Sequence, residues 1–175
     1  MRKRLLKNLL HAPVTEPAAA VDLEAVGSEL RGVVTRTLGR SLAIREVDAG
    51  SCNGCELEIH ALNNPLYDIE RFGIRFVASP RHADALLVTG PVTHNMREAL
   101  ERTFAAVPAP KWVIAAGDCA AGCGVFAGSY ACVGGVSSVV PVDLHIRGCP
   151  PRPIEILRGL LALLVPDAAE KKTAG

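Results

Sequence analysis

Four of the six cysteines in this 175-residue chain directly follow short apolar segments, in loops that contain glycine. Cys52 and Cys55 form a Cys-x-x-Cys motif, whereas Cys119 lies in a Gly-Asp-Cys sequence and Cys149 in a Gly-Cys-Pro-Pro sequence. Thiolates bind zinc and iron–sulfur clusters, and paired thiols also carry out redox chemistry. The residue types therefore predict a metal centre held by these four thiols.

Three kinds of chemistry are open to the four thiols. A structural zinc site usually pairs two Cys-x-x-Cys motifs, but here the second pair is divided between two distant, glycine-flanked loops. A four-iron cluster is larger than one zinc ion and accepts hydrogen bonds from backbone N–H groups, so its loops need glycine for close backbone approach. The pattern favours an iron–sulfur cluster, with zinc and ordinary buried or redox-active thiols as the alternatives.

The composition of the whole chain narrows the classes of function. Hydrophobic residues make up 49% of the chain and charged residues 21%, which is typical of a globular domain able to bury a core without disulfides. A net charge of +1 and an aromatic content of 4% do not indicate nucleic-acid binding, and the apolar surplus favours protein partners. There is no signal-peptide pattern and no apolar run of about 20 residues, so we expect a cytosolic protein without a membrane span.

Segments with strand and helix patterns alternate along the chain. The predicted strands are 42–47, 74–78, 85–89, 112–116 and 142–146, and the predicted helices are 22–38, 56–62, 94–107 and 153–164. Residues 125–138 are glycine-rich and predicted to be irregular, and residues 1–11 are a candidate basic amphipathic helix. We therefore expect an N-terminal tail and linker over 1–21, one domain over 22–165, and a C-terminal tail over 166–175.

This alternation predicts an α/β domain with a parallel sheet and helices on both faces. Ligands of such sheets bind beyond the carboxyl ends of the strands, near the point where the winding direction reverses. The four cysteines follow the first, fourth and fifth predicted strands at those ends. One fold assignment therefore brings all four thiols together.

Several segments around these loops carry a family resemblance. They are SCNGCELEI at 51–59, DIERFG at 68–73, SPRHAD at 79–84, GDC at 117–119, and VPVD and GCPP within 140–151. Over residues 42–165 the chain resembles the small subunit of energy-converting [NiFe] hydrogenases of the formate hydrogenlyase type. That small subunit is homologous to the 20 kDa subunit of NADH-quinone oxidoreductase, which is respiratory complex I.

The resemblance implies a flavodoxin-like electron-transfer subunit with one [4Fe-4S] cluster, whose ligands match Cys52, Cys55, Cys119 and Cys149. It implies a [NiFe]-type or complex I-type large catalytic subunit and a ferredoxin-like iron–sulfur subunit as partners, with the membrane arm contacted indirectly. It also implies a peripheral location on the cytoplasmic face of the inner membrane. Complex I subunits typically have two adjacent cysteines where this chain has Cys-x-x-Cys, so the motif favours the hydrogenase side over direct quinone binding. A zinc-stabilised assembly module without a redox role is the alternative.

Two charged residues are further candidates. Glu58 matches a glutamate that follows the cysteine motif in complex I subunits, where it would couple proton movement to cluster reduction; helix capping or an ion pair with Arg81 is the alternative. Arg81 is expected on the strand-end side of the sheet, where a cation would raise the reduction potential of the cluster, unless it forms an interface ion pair. Cys123 and Cys132 are predicted to be packing residues.

Overall fold

The computed structural model describes residues 22–165, so the predicted N-terminal basic helix lies outside the described residues. Five strands form the main sheet: β1 (Leu42–Asp48), β2 (Ile74–Phe76), β3 (Ala85–Thr89), β5 (Trp112–Ala116) and β7 (Leu144–Ile146). Two short strands, β4 (Val92–Thr93) and β6 (Cys132–Gly134), form a separate antiparallel ribbon. The helices are α1 (Leu23–Leu38), α2 (Gly54–Leu62), α3 (His94–Ala106), α4 (Asp118–Gly122) and α5 (Pro153–Leu164). Single 3-10 turns occur at Ile69–Phe72, Pro80–His82, Gly124–Phe126 and Val136–Ser138.

The main sheet is parallel throughout and has the strand order β2–β1–β3–β5–β7. The chain moves outward from β1 to β2 and then returns to place β3 on the other side of β1, so the winding direction reverses between β1 and β3. Because ligands of doubly wound sheets bind beyond the carboxyl ends of the strands near this reversal, the loops after these strands are where a site is expected. The predicted flavodoxin-like α/β class is confirmed.

Helices cover both faces of the sheet. On one face, Ile44, Leu87 and Ile114 belong to a buried cluster shared with α1, α2 and α5. On the other face, Leu86 and Val88 pack in a second cluster with residues from α3 and α4. All five residues of β3 are buried, as its continuous apolar sequence predicts for a central strand of a parallel sheet. The two cores hold the sheet rigid, and its carboxyl edge is therefore a fixed platform for loops.

Local sequence signals set the helix ends. Asp22 caps α1, since its carboxylate accepts a hydrogen bond of 2.9 Å from the Ala25 N–H. Gly39 ends the same helix in the left-handed conformation, with φ 65° and ψ 4°. Pro153 opens α5, where the absence of its N–H costs nothing. No helix within residues 22–165 is both long and apolar enough to cross a membrane.

The structure departs from the sequence prediction mainly between β5 and β7. The segment predicted to be irregular contains β6 and two 3-10 turns, and a five-residue helix, α4, begins directly after β5. β7 starts at Leu144 and not at residue 142, because the carboxylate of Asp143 accepts the Val113 N–H at 2.7 Å in place of a strand partner. These differences alter the loops around the carboxyl edge of the sheet and leave its topology unchanged.

Candidate metal centre

A cavity of about 70 Å³ opens at the carboxyl edge of the sheet, where the loops after β1, β5 and β7 meet. Cys52, Cys55, Cys119 and Cys149 all lie in its wall. Cys119 is buried, Cys55 is half-buried, and Cys52 and Cys149 are exposed. The structure therefore brings the four cysteines singled out in the sequence to one cavity.

Asp48, at the end of β1, shapes the loop that presents the Cys-x-x-Cys motif. Its Oδ1 accepts hydrogen bonds from the N–H groups of Gly50 and Ser51, both at 2.7 Å. This turn directs the chain across the end of the sheet and into α2, so that Cys52 precedes the helix and Cys55 lies in its first turn. The two thiols of the motif thus reach the cavity from one loop.

Backbone hydrogen bonds hold the two single-cysteine loops side by side. The Gly117 N–H donates to the Ile146 carbonyl and the Asp118 N–H to the Gly148 carbonyl, both at 2.8 Å. The bonds extend the pairing of β5 and β7 beyond the ladder, so the loop with Cys119 and the loop with Cys149 leave the sheet together. An ion pair of 3.0 Å between Arg147 Nε and Asp118 Oδ1 joins the loops a second time.

Glycines let the backbone pass close to the sulfur atoms. A Cβ added at Gly117 would lie 2.7 Å from the Sγ of Cys55, and one added at Gly124 would lie 2.8 Å from the Sγ of Cys119. Gly117 has φ 94° and ψ 157°, a conformation almost restricted to glycine. At both positions a side chain would collide with a cysteine sulfur, so glycine is what lets the loops pass this close to the thiols.

Burial disfavours the thiolate form of two of the cavity cysteines, Cys55 and Cys119. Burial raises the pKa of Cys55 to about 12, with further contributions from the Glu56 carboxylate and from the thiols of Cys119, Cys52 and Cys149. Burial also raises the pKa of Cys119, although a hydrogen bond from the Val125 N–H opposes the shift. Since metal-bound thiols are deprotonated, binding of a metal group here would release protons.

The donor set fits a thiolate-bound metal centre. Within residues 22–165, no group of three or more His, Cys, Asp or Glu side chains is arranged to hold a metal ion. The fit therefore rests on four convergent thiols and on the glycine contacts around them, and not on a preformed coordination shell.

Glu58 and Arg81 lie apart from each other. Glu58 is half-buried on α2, three residues after Cys55. Arg81 lies in the turn before β3, and hydrogen bonds from Val77 to Ile44 and from Asp84 to Ala43 hold both ends of that loop at the start of β1. The expectation that Arg81 lies on the strand-end side is therefore wrong. β2 is only three residues long, so the loop that follows it begins and ends level with the first residues of β1. Across the described part of the chain, no ion pair joins Glu58 to Arg81.

Glu56 is a residue of the site that the sequence analysis missed. It is only 7% exposed, and its Oε2 accepts a hydrogen bond of 2.6 Å from the hydroxyl of Ser51. Its Oε1 is buried without a partner in the described structure. Burial and, next, the charge of Glu56 raise the pKa of Glu46 on β1. An acidic residue in the first turn of a helix normally indicates an exposed capping position, so no sequence signal distinguishes this buried carboxylate beside Cys55.

The sheet order and the thiol-lined cavity define a doubly wound α/β domain with four cysteines gathered at its carboxyl edge. Residues 52–163 match the model of a family described as NADH ubiquinone oxidoreductase, 20 Kd subunit. The chain belongs to this family. The resemblance identified from the sequence is thereby confirmed.

The relatives come from several oxidoreductase complexes. The chain is 48% identical over 127 residues to a probable membrane-bound hydrogenase subunit of Pyrococcus furiosus, which covers 73% of this chain and 76% of the relative. It is 45% identical over 141 residues to formate hydrogenlyase subunit 7 of Escherichia coli, covering 81% of this chain and 55% of the relative, so it spans about half the length of that protein. It is 43% identical over 146 residues to an NADH-quinone oxidoreductase subunit of Herpetosiphon aurantiacus, covering 82% of this chain and 79% of the relative.

A solved structure has the same fold. One chain of the membrane-bound sulfane sulfur reductase, an archaeal respiratory membrane complex, superposes with a TM-score of 0.64 at 34% identity. The match covers 78% of this chain and 74% of the other. The fold described above is therefore the fold of a subunit of a respiratory membrane complex.

Proposed function

We propose that this chain binds one [4Fe-4S] cluster through Cys52, Cys55, Cys119 and Cys149 and relays electrons to a catalytic subunit. One observation carries the proposal: three loops that are distant in sequence present these four thiols to a single cavity. The family membership of the chain supports it. The chain itself makes and breaks no substrate bond.

The residues of the chain would hold and tune the cluster. When bound, a cluster of this kind supplies single-electron transfer. The four thiolates are its ligands, and the N–H of Val125, which already donates to the sulfur of Cys119, helps to set the reduction potential. Burial of Cys119 limits the access of water on one side of the cavity. Glu58, on the helix that carries Cys55, stays a candidate for coupling a proton to the electron.

The partners follow from the relatives and from the surface near the cavity. The relatives are named as subunits of hydrogenase, formate hydrogenlyase and NADH-quinone oxidoreductase complexes. Large apolar side chains are exposed close in sequence to the cysteines: Leu57 is 61% and Val125 is 77% exposed. Apolar groups of this size favour protein contacts. We propose a large catalytic subunit against this surface, a ferredoxin-like subunit as electron donor or acceptor, and a peripheral position on the cytoplasmic face of the inner membrane with only indirect contact to the membrane arm.

The direct test is the metal content of the full chain purified without oxygen together with its partner subunits. About four irons and four acid-labile sulfides per chain and a paramagnetic signal on one-electron reduction are expected for a [4Fe-4S] cluster. One zinc per chain with no iron would establish the zinc-stabilised assembly module in its place.

Single substitutions test which thiols are ligands. Alanine in place of Cys52, Cys55, Cys119 or Cys149 should abolish the intact cluster, because a methyl group cannot ligate iron. Cys123→Ala and Cys132→Ala are matched controls, since they remove a thiol outside the cavity wall and should keep full iron content. If Cys123→Ala loses iron and Cys119→Ala retains it, the ligand assignment is wrong.

A further inference from the structure

Cys52 is an exposed residue of the cavity wall, so its position is set by its loop and not by burial. The residues on either side of it are joined, since the Asn53 N–H donates to the hydroxyl oxygen of Ser51 at 3.0 Å. Asn53 has a φ of 70°, in the left-handed region, which costs free energy unless the surroundings hold it. The placement of Cys52 therefore depends on Ser51.

The backbone of Ser51 belongs to the edge of the sheet. Its N–H donates to the carboxylate of Asp48, the last residue of β1, at 2.7 Å. A Cβ added at Gly90, in the loop after β3, would lie 2.5 Å from the Ser51 nitrogen, so this loop packs directly against it. Ser51 is thus a fixed point from which its hydroxyl reaches the residues that follow.

Glu56 accepts the hydrogen of that hydroxyl. The distance from the Ser51 oxygen to Glu56 Oε2 is 2.6 Å, and Glu56 directly follows Cys55 in the first turn of α2. One partner of this hydrogen bond comes before Cys52 and the other after Cys55. The bond therefore ties the loop that carries the first thiol to the helix that carries the second.

The core does not need a carboxylate at this position. Glu56 is only 7% exposed, and its Oε1 has no partner in the described part of the chain. Burial of a polar atom without a hydrogen bond lowers stability, and an apolar side chain of the same length would avoid that loss. The contact of Glu56 with Ser51 is therefore what the carboxylate adds to the molecule.

We propose that Glu56 is a positioning residue for the cluster, which acts through Ser51 to hold Cys52 where it can ligate iron. This assignment rests on the proposed function. Without the contact, Cys52 should be the first of the four thiols to leave the cluster, because Cys119 is buried and Cys55 is half-buried. The fourth thiol is exposed too, but backbone hydrogen bonds tie its loop to the loop after β5.

The test uses the full chain purified without oxygen with its partner subunits, as wild type, Ser51→Ala, Glu56→Met and the double variant. Methionine has about the length of glutamate and fills the buried space, so the domain should fold. Each single variant should release iron to a chelator about tenfold faster than wild type, the factor that corresponds to one hydrogen bond to a buried carboxylate. Loss of the iron at Cys52 leaves a three-iron cluster, which is paramagnetic when oxidised, whereas the intact four-iron cluster is not. Oxidised samples of the variants should therefore show a paramagnetic signal that wild type lacks.

The double variant separates a shared contact from two independent defects. If Ser51 and Glu56 act through one hydrogen bond, the double variant should release iron no faster than the quicker single variant. Two independent defects would multiply their effects, to about 100-fold.

Two control variants separate the hydrogen bond from general loss of stability. Glu56→Gln keeps an oxygen that can accept from Ser51 and should restore slow release of iron. Glu155 is the matched control, because it also lies in the first turn of a helix that follows a cysteine loop, but its carboxylate accepts the Arg152 N–H at 2.9 Å. Glu155→Ala should lower the melting temperature and leave iron release unchanged.

Three results would overturn the assignment: release at the wild-type rate in Glu56→Met, multiplied effects in the double variant, or equal rates in Glu56→Gln and Glu56→Met. Wild-type protein that holds zinc or no iron would instead contradict the proposed function. The role of the contact is then measured by the rate at which iodoacetamide modifies Cys52, located by mass spectrometry within the tryptic peptide 46–71. Faster modification in Glu56→Met than in wild type would support the positioning of Cys52, and equal rates would overturn it.

Discussion

Replacement of Gly117 by alanine should separate the role of the glycine contacts in metal binding from their role in folding. The new Cβ would lie 2.7 Å from the Cys55 sulfur, whereas favourable contacts are about 3.5–4.0 Å. The sulfur must therefore move by roughly 1 Å. A displacement of this size at one of four ligands should remove most of the bound iron, because a cluster needs all of its sulfurs in place.

The cost in folding stability comes mainly from the backbone. Gly117, at φ 94° and ψ 157°, lies in a region that costs a residue with a side chain about 1–3 kcal/mol. For a domain of this size each kcal/mol lowers the melting temperature by about 2–4 °C. The variant should thus fold, with a measurably lower melting temperature.

Gly39→Ala is the matched control. Gly39 also has a positive φ, 65°, but a Cβ there would meet nothing within 4 Å. It should lose about 1–2 kcal/mol and keep its iron. Two measurements on each variant separate the two effects. The iron content reports metal binding, and thermal unfolding of the metal-free and the iron-loaded protein reports folding stability. Equal iron content in Gly117→Ala and wild type would refute the argument that Gly117 makes room for the sulfur of Cys55.

Three further changes test other parts of the molecule. Asp84→Asn should lower the free energy of unfolding at neutral pH by about 1 kcal/mol, because it removes the ion pair of 2.5 Å between Asp84 and Arg40. The expected loss is small because the Arg40 side chain is more than half exposed to solvent. Burial raises the pKa of the Asp84 carboxyl, but the hydrogen bonds from Arg40 and Ala43 prevail and hold this pKa below its ordinary value. The stabilisation is therefore complete above the pKa of an unperturbed aspartate and is lost as the pH falls below it. In acid titrations of unfolding, the wild type should lose more stability than the variant. Ser51→Ala should lower the free energy of unfolding by about 1–3 kcal/mol, because it removes the hydrogen bond of 2.6 Å to the buried carboxylate of Glu56. The other oxygen of that carboxylate already lacks a partner. An unchanged midpoint in chemical denaturation would contradict this expectation. Deletion of residues 1–16 should leave iron content unchanged and weaken association with the partner subunits or membrane, and loss of iron would show that this tail is structural.

The sequence was sufficient for the sheet and for the gathering of the cysteines. Apolar β3 predicted a central strand, and the position of each cysteine after a strand predicted one common edge. The first inference depends on the hydrophobic pattern of a short segment and the second on the order of strands and cysteines along the chain, and both can be identified directly from the sequence. The ligand roles themselves stay predictions until metal content is measured.

The rest of the site depended on tertiary contacts that no local pattern contains. The five residues of α4 and the two residues of β4 are too short to show a period. Arg81 was misplaced because the length of β2 decides at which end of the sheet its loop lies. Burial of Glu56 depends on the turn that brings Ser51 over it.

The position of β7 at the edge of the sheet links the cavity to the order of synthesis. Its three residues pair only with β5, and they precede the last of the four cavity thiols. A nascent chain that has already folded β1 to β5 offers three thiols, and the fourth arrives only when residue 149 has left the ribosome and the final strand has docked. Under the proposed function, iron would therefore enter after translation has passed the whole sheet, and prematurely terminated chains would be left without a complete ligand set and exposed to degradation.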